Sequence, residues 1–115
     1  MRSEDRAREA LEHIRDTILL AQGFVAGMDE RGFAEDTRTV FAVIRCLEIV
    51  SEASRRLTEE IKARHPGLPW RQIADAGNVY RHLYHAVRTE AVWLVVRDRL
   101  PELLAAIEAE LARPA

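Results

Sequence analysis

A single cysteine, Cys46, stands in 115 residues, so no intrachain disulfide can form. Its neighbours are apolar helical residues. It reads as a small buried hydrophobe in a reducing compartment. Aromatic residues make up only 6% of the chain, and glycine and proline are few. With so few breakers and so much Ala, Leu, Arg and Glu, the composition is that of a soluble, mostly helical protein. Long apolar runs are missing as well. The longest, AVWLVV at 91–96, has six residues, against roughly 18 for a membrane span. The opening stretch MRSEDRAREALEHIR is too charged for a signal peptide, and a cytoplasmic location is expected. Charge of one sign is absent too. The net charge is −2, so no overall field recruits nucleic acid and any basic site must be local. The length is that of one domain, 1–115. A chain this short buries only about two-thirds of its unfolded surface, which favours a dimer.

What is present is helical periodicity. Leu11, Ile14, Ile18, Ala21 and Val25 recur at 3-4-3-4 spacing and predict an amphipathic helix from near Ser3 to near Gly27. GMDERGF, with two glycines, reads as a break. Asp36 or Thr37 then caps a second helix, whose stripe runs Val40, Val43, Ile44, Leu47, Val50, Leu57, Ile61. Ser54 stands on that stripe where a close helix contact could need a small residue. Arg45, Glu48, Glu52 and Arg56 are spaced as a ladder of surface ion pairs. HPGLP at 65–69 ends this helix. Trp70 opens a short turn to about Asp75, and Gly77 is a weak point. Further helices are expected over 78–86, 89–98 and 101–112, the last opened by Pro101. Short loops favour an antiparallel all-α bundle of five to six helices.

The polar residues gather in one window. From Trp70 to Arg88, Arg71, Arg81 and Arg88 face Asp75 alone, a local charge of +2 before His82 and His85 are counted. RNA phosphodiester chemistry needs a base near neutral pKa for the 2′-hydroxyl and a cation for the charge developing on phosphorus. On a continuing helix His82 and Tyr84 would point about 200° apart. They line one pocket only if the helix ends there or a second chain completes the site. Each residue also has a plainer reading. Tyr80 and Tyr84, one turn apart, serve as packing residues. His82 and His85 lack a convincing third metal ligand, so no metal site is expected. His13 and His65 look like isolated surface or loop residues. Trp70 and Trp93 read as core anchors, and Glu48 and Glu52 as structural carboxylates. A phosphate-cradling glycine loop, a Ser/His/Asp set and a zinc-type cysteine pattern are all absent.

Three segments carry a family resemblance. VIRCLEIVSEASRRL at 43–57, HPGLPWRQIA at 65–74, and RHLYHAV followed by AVWLVVRDRLPEL stand in the order and spacing of the HepT-like proteins. These are also called the DUF86 family, a branch of the HEPN superfamily. The resemblance implies a homodimeric bundle of five or six helices that acts as a ribonuclease toxin in a HepT/MntA-type toxin–antitoxin pair. The family's site is Arg-x4–6-His-x-Tyr. It implies metal-independent attack by the RNA 2′-hydroxyl, with no cofactor, and silencing by a minimal nucleotidyltransferase (MntA-like) antitoxin that transfers AMP to the Tyr. Carried over, His82 is the catalytic His, Tyr84 the AMP acceptor, and Asn78 the Asn that commonly follows the family Arg. The Arg itself is missing. Gly77 occupies its place, and the longer spacings land on Ala76 and Asp75. Arg81, from this chain or its partner, is expected to supply the cation, with Arg88 as a second contact to substrate. The alternative is a catalytically inactive module that binds a nucleotidyltransferase or a nucleotide.

Overall fold

A computed structural model describes residues 2–82 and 88–114, apart from the side chains of Arg81 and His82. Every regular element among them is helical. The first is α1 (Ser3–Phe24), with Glu4 and Asp5 in its first turn, where carboxylates suit the positive end of the helix dipole. The expected stripe of Leu11, Ile14, Ile18 and Ala21 is buried, and Val25 packs on the edge of the core. Past the helix, Gly27 takes φ +79°, a left-handed turn that needs no Cβ.

The GMDERGF segment is not only a break. Asp29 accepts the N–H of Gly32 at 2.7 Å and caps a short helix, α2 (Glu30–Glu35). That turn places Phe33 in the core with no exposure, its ring centroid 5.4 Å from that of Trp93. Asp36 then caps α3 (Thr37–Ser54), accepting the Thr39 N–H at 3.1 Å. These bonds hold the Asp36 carboxyl below its ordinary pKa. α3 is the central helix, packed on α1 along one side and on α5 along the other. Cys46 is buried in it, and loss of solvation pushes its thiol pKa up.

The long second helix expected to run past Ile61 is in fact two. Ser54 turns its hydroxyl onto the Ser51 carbonyl at 2.6 Å, and the next three N–H groups bond three residues back, closing the helix. Thr58 accepts the N–H of Ile61 and starts α4 (Glu59–Arg64). Leu57 and Ile61 stay buried across the break, which is why periodicity alone did not reveal it.

The 70–75 turn and the start of the 78–86 helix are also corrected, while positions 83–86 lie outside the described residues. One helix, α5 (Trp70–His82), runs straight through Gly77. α6 (Thr89–Leu94) follows, then a π-helical turn (Val95–Arg99), then α7 (Leu100–Leu111). Pro101 stands in the first turn of α7, as expected, although the π-helical turn runs directly into that helix. The proline has no N–H to give, and the helix widens just before it, with Leu100 N–H reaching back five residues to the Val95 carbonyl. Val92, Val96, Leu100, Leu103 and Ile107 carry one buried face through this change of pitch. α7 closes the bundle against α1. Among the described residues no helix is long and apolar enough to cross a membrane.

Candidate active site

α5 carries Asn78, Arg81 and His82, so what fixes α5 fixes the backbone of that part of the candidate site. Its start is anchored by Trp70, whose indole N–H is shared between the carbonyls of Lys62 (3.2 Å) and His65 (3.0 Å). Trp70 is therefore a clamp on the end of α4 as well as a packing residue. The middle of α5 is locked to α3. The buried Ser51 hydroxyl donates to the Ala74 carbonyl and accepts the Gly77 N–H, both at 2.9 Å. Arg55 adds a guanidinium bond to the same carbonyl at 2.7 Å. A Cβ on residue 77 would lie 2.7 Å from Ser51 Oγ and 3.0 Å from Ser51 Cβ. Gly77 is thus the point of closest approach of the two helices. The small residue expected to serve such a contact from α3 was Ser54; the one that does so is Ser51.

The two long faces of α5 differ. Arg71, Asp75 and Asn78 are exposed and spaced 4-3, and position 82, four further on, continues that register. On the opposite face, Ile73, Ala76 and Tyr80 line a groove of about 440 Å³ closed by Leu68, Leu100 and Leu103. Tyr80 is half-buried there, and burial pushes its hydroxyl pKa up. Tyr84 and His85 lie outside the described residues, as do the side chains of Arg81 and His82.

Arg88 is exposed at the start of α6, with its Nε 2.7 Å from Glu90. The basic window is thus partly neutralised by a residue just beyond it. The α3 ladder is looser than its spacing implies. Arg45–Glu48 and Arg55–Glu52 stand at 4.0 Å. Arg56 instead shares an open depression with Arg6, Glu9 and His13. Among the described residues no three His, Cys, Asp or Glu side chains gather as metal ligands.

One polar cluster was missed. Glu110, only 4% exposed at its side chain, accepts a fork from Arg64 and a bond from His65 Nε2 at 2.7 Å. His65 is therefore not isolated; its partner lies 45 residues away on α7. The Arg64 bonds first, and then His65, hold the Glu110 carboxyl at a pKa of about 2 against the opposing effect of burial. The one signal in the sequence was an acidic residue, Glu110, in register with Leu103 and Ile107 on the buried face of the last helix.

Comparison with known proteins extends the pattern to most of the chain. A "Probable ribonuclease HepT" of Thermococcus cleftensis is 35% identical over 96 residues, covering 84% of this chain and 87% of its own. A protein of Caldanaerobacter subterraneus subsp. tengcongensis is 31% identical over 84% of this chain and 86% of its own. One of Methanocaldococcus jannaschii is 28% identical over 87% and 88%. Both are named "Putative RNase". No solved structure matches. The family model described as "Ribonuclease HepT-like" matches residues 8–110, which takes in α5 and everything that positions it, and the chain belongs to that family.

Proposed function

We propose that this protein is a metal-independent endoribonuclease, the toxin of a two-component module. The observation that carries the proposal is the family match across residues 8–110, which takes in the whole His-x-Tyr window. In this reading an RNA strand lies on the exposed face of α5. The His82 imidazole, a side-chain type able to act as a general base, takes the proton of the 2′-hydroxyl. The 2′-oxygen bonds to phosphorus, the bond to the 5′-oxygen breaks, that oxygen takes a proton from water to leave as a 5′-hydroxyl, and a 2′,3′-cyclic phosphate remains. Arg81 supplies positive charge to the phosphoryl oxygens as the fifth bond forms. Asn78, exposed one turn before His82, and Arg88 hold the strand. The active unit is a homodimer. Tyr84 is the off-switch: a nucleotidyltransferase partner places AMP on its hydroxyl, adding an anion where the RNA phosphate sits.

Cleavage of single-stranded RNA by the purified protein, beside His82→Ala and with EDTA present, tests this. The expected result is cleavage that survives EDTA, with loss of at least about 100-fold on His82→Ala. Expression without the partner should arrest growth, and His82→Ala should relieve it. No cleavage by protein whose intact mass shows an unmodified Tyr84 would overturn the nuclease reading. Gly77 would then mark a lost activity, in favour of a module that binds the nucleotidyltransferase or a nucleotide.

A further inference from the structure

We infer that Arg45 of α3 is a phosphate-binding catalytic residue at the His82 end of α5, supplying charge that Gly77 cannot; the inference rests on the ribonuclease reading above. The register of the two helices carries it. Arg55 and Ser51 of α3 bond the Ala74 carbonyl, and Ser51 also takes the Gly77 N–H. The Glu48 carbonyl would lie 3.7 Å from a Cβ at position 77. Contacts therefore step back along α3 as they step forward along α5, and the helices are antiparallel. Arg45 is three residues before Glu48, about 4.5 Å along α3. His82 is five residues after Gly77, about 7.5 Å along α5. The two positions thus stand within about 3 Å of the same level, across a helix pair that Gly77 keeps close.

Arg45 stands about 60° round α3 from Glu48 and about 80° from Arg55, on the same side of Ser51 as both; Glu48 is only 17% exposed at its side chain, and Arg55 reaches α5. Its own side chain is 69% exposed, and its one ion pair among the described residues is the 4.0 Å contact to Glu48. A pair this long and this wet is screened and weak, so the guanidinium is available to an incoming anion. A guanidinium offers a planar fork of N–H donors matched to phosphate oxygens, the chemistry required where charge builds on phosphorus. At position 77 the Ser51 contact leaves no room for any side chain. The neighbouring helix is the next place from which a cation can come.

The test compares Arg45→Ala with Arg8→Ala, an exposed charge on α1 that alters net charge equally. Cleavage is measured as kcat and KM. RNA binding is measured in the His82→Ala background, so that the oligonucleotide survives. Arg45→Ala is expected to lower kcat by about 100-fold and to reduce the slope of log affinity against log salt by about 1. Arg8→Ala should change neither. Glu48→Gln should tighten RNA binding, since it removes the carboxylate that competes for the guanidinium. Thermal melts should stay superimposable, because Arg45 is exposed. If Arg45→Ala cleaves like the wild type while the wild type is active, the inference fails and the ribonuclease reading stands. If Arg45→Ala and Arg8→Ala fall together, only net charge matters and the inference fails as well. A wild type that neither binds nor cleaves RNA overturns both.

Discussion

Glu110→Gln should lower the stability of this protein by about 3 kcal/mol at neutral pH, or about 10 °C in Tm. The carboxylate is carried on the buried face of α7, at 4% side-chain exposure, and is held by the Arg64 fork and by His65. Its folded pKa of about 2 lies below the unfolded value of 4.5, because those bonds favour the charged form. The sign follows from proton counting. Above about pH 4.5 the group is ionised in both states and the full stabilisation is present. As pH falls from there, the unfolded chain takes up a proton that the folded one resists, and stability declines. Most of the contribution is lost by about pH 2, and the remainder goes as pH falls below the folded pKa. The glutamine variant lacks this dependence, so the two denaturation curves should converge as pH falls from 4.5 to 2. Urea unfolding at pH 7, 4 and 2.5 measures it. A variant within about 0.5 kcal/mol of wild type at pH 7 would show that the fork holds two partners together without stabilising the fold, as happens for many pairs whose desolvation cancels their attraction.

That cluster also marks where sequence reasoning stops. His65 and Glu110 are 45 residues apart, and no local pattern links them. Periodicity was informative wherever burial follows a single stripe. The face of α1, the Asp36 cap and the last helix were all legible. It failed where a side chain competes with the backbone. Asp29 converts a glycine-rich break into a helical turn that buries Phe33, and Ser54 with Thr58 cuts a continuous apolar stripe into two helices. The candidate site is proposed from the family resemblance and not from residue types alone, since His82, Arg81 and Tyr84 each also have a plain structural reading. Its surroundings were not legible. The level proposed for Arg45 against His82 depends on the axial register of α3 against α5. That register is set by contacts 19 to 26 residues apart, which only the folded chain displays.

Gly77→Ala should destabilise the protein by about 1–3 kcal/mol, although alanine is the better helix former by about 1 kcal/mol. An exposed helical glycine would give the opposite sign, so the direction alone is diagnostic. The added methyl would sit 2.7 Å from Ser51 Oγ, and rotating the hydroxyl away does not suffice, because Ser51 Cβ is at 3.0 Å. Rotation would also release the Ala74 carbonyl and the Gly77 N–H from the bonds that lock α5 to α3. Ser51→Gly removes both obstructing atoms. It costs stability alone, through the lost bonds and a weaker helix. In the double variant the methyl occupies the space the serine left, so the combined loss should fall short of the sum of the single losses by at least about 1 kcal/mol. Additive losses in a double-mutant cycle of urea unfolding would mean that α5 shifts freely on α3. The contact would then fix neither the depth of the helix nor the level at which His82 meets its neighbours. A positive coupling, by contrast, makes Ser51 and Gly77 a matched pair. A cation could then return to position 77 only if Ser51 gave way first, which is why the proposed ribonuclease reading draws its charge from Arg81 and from the neighbouring helix.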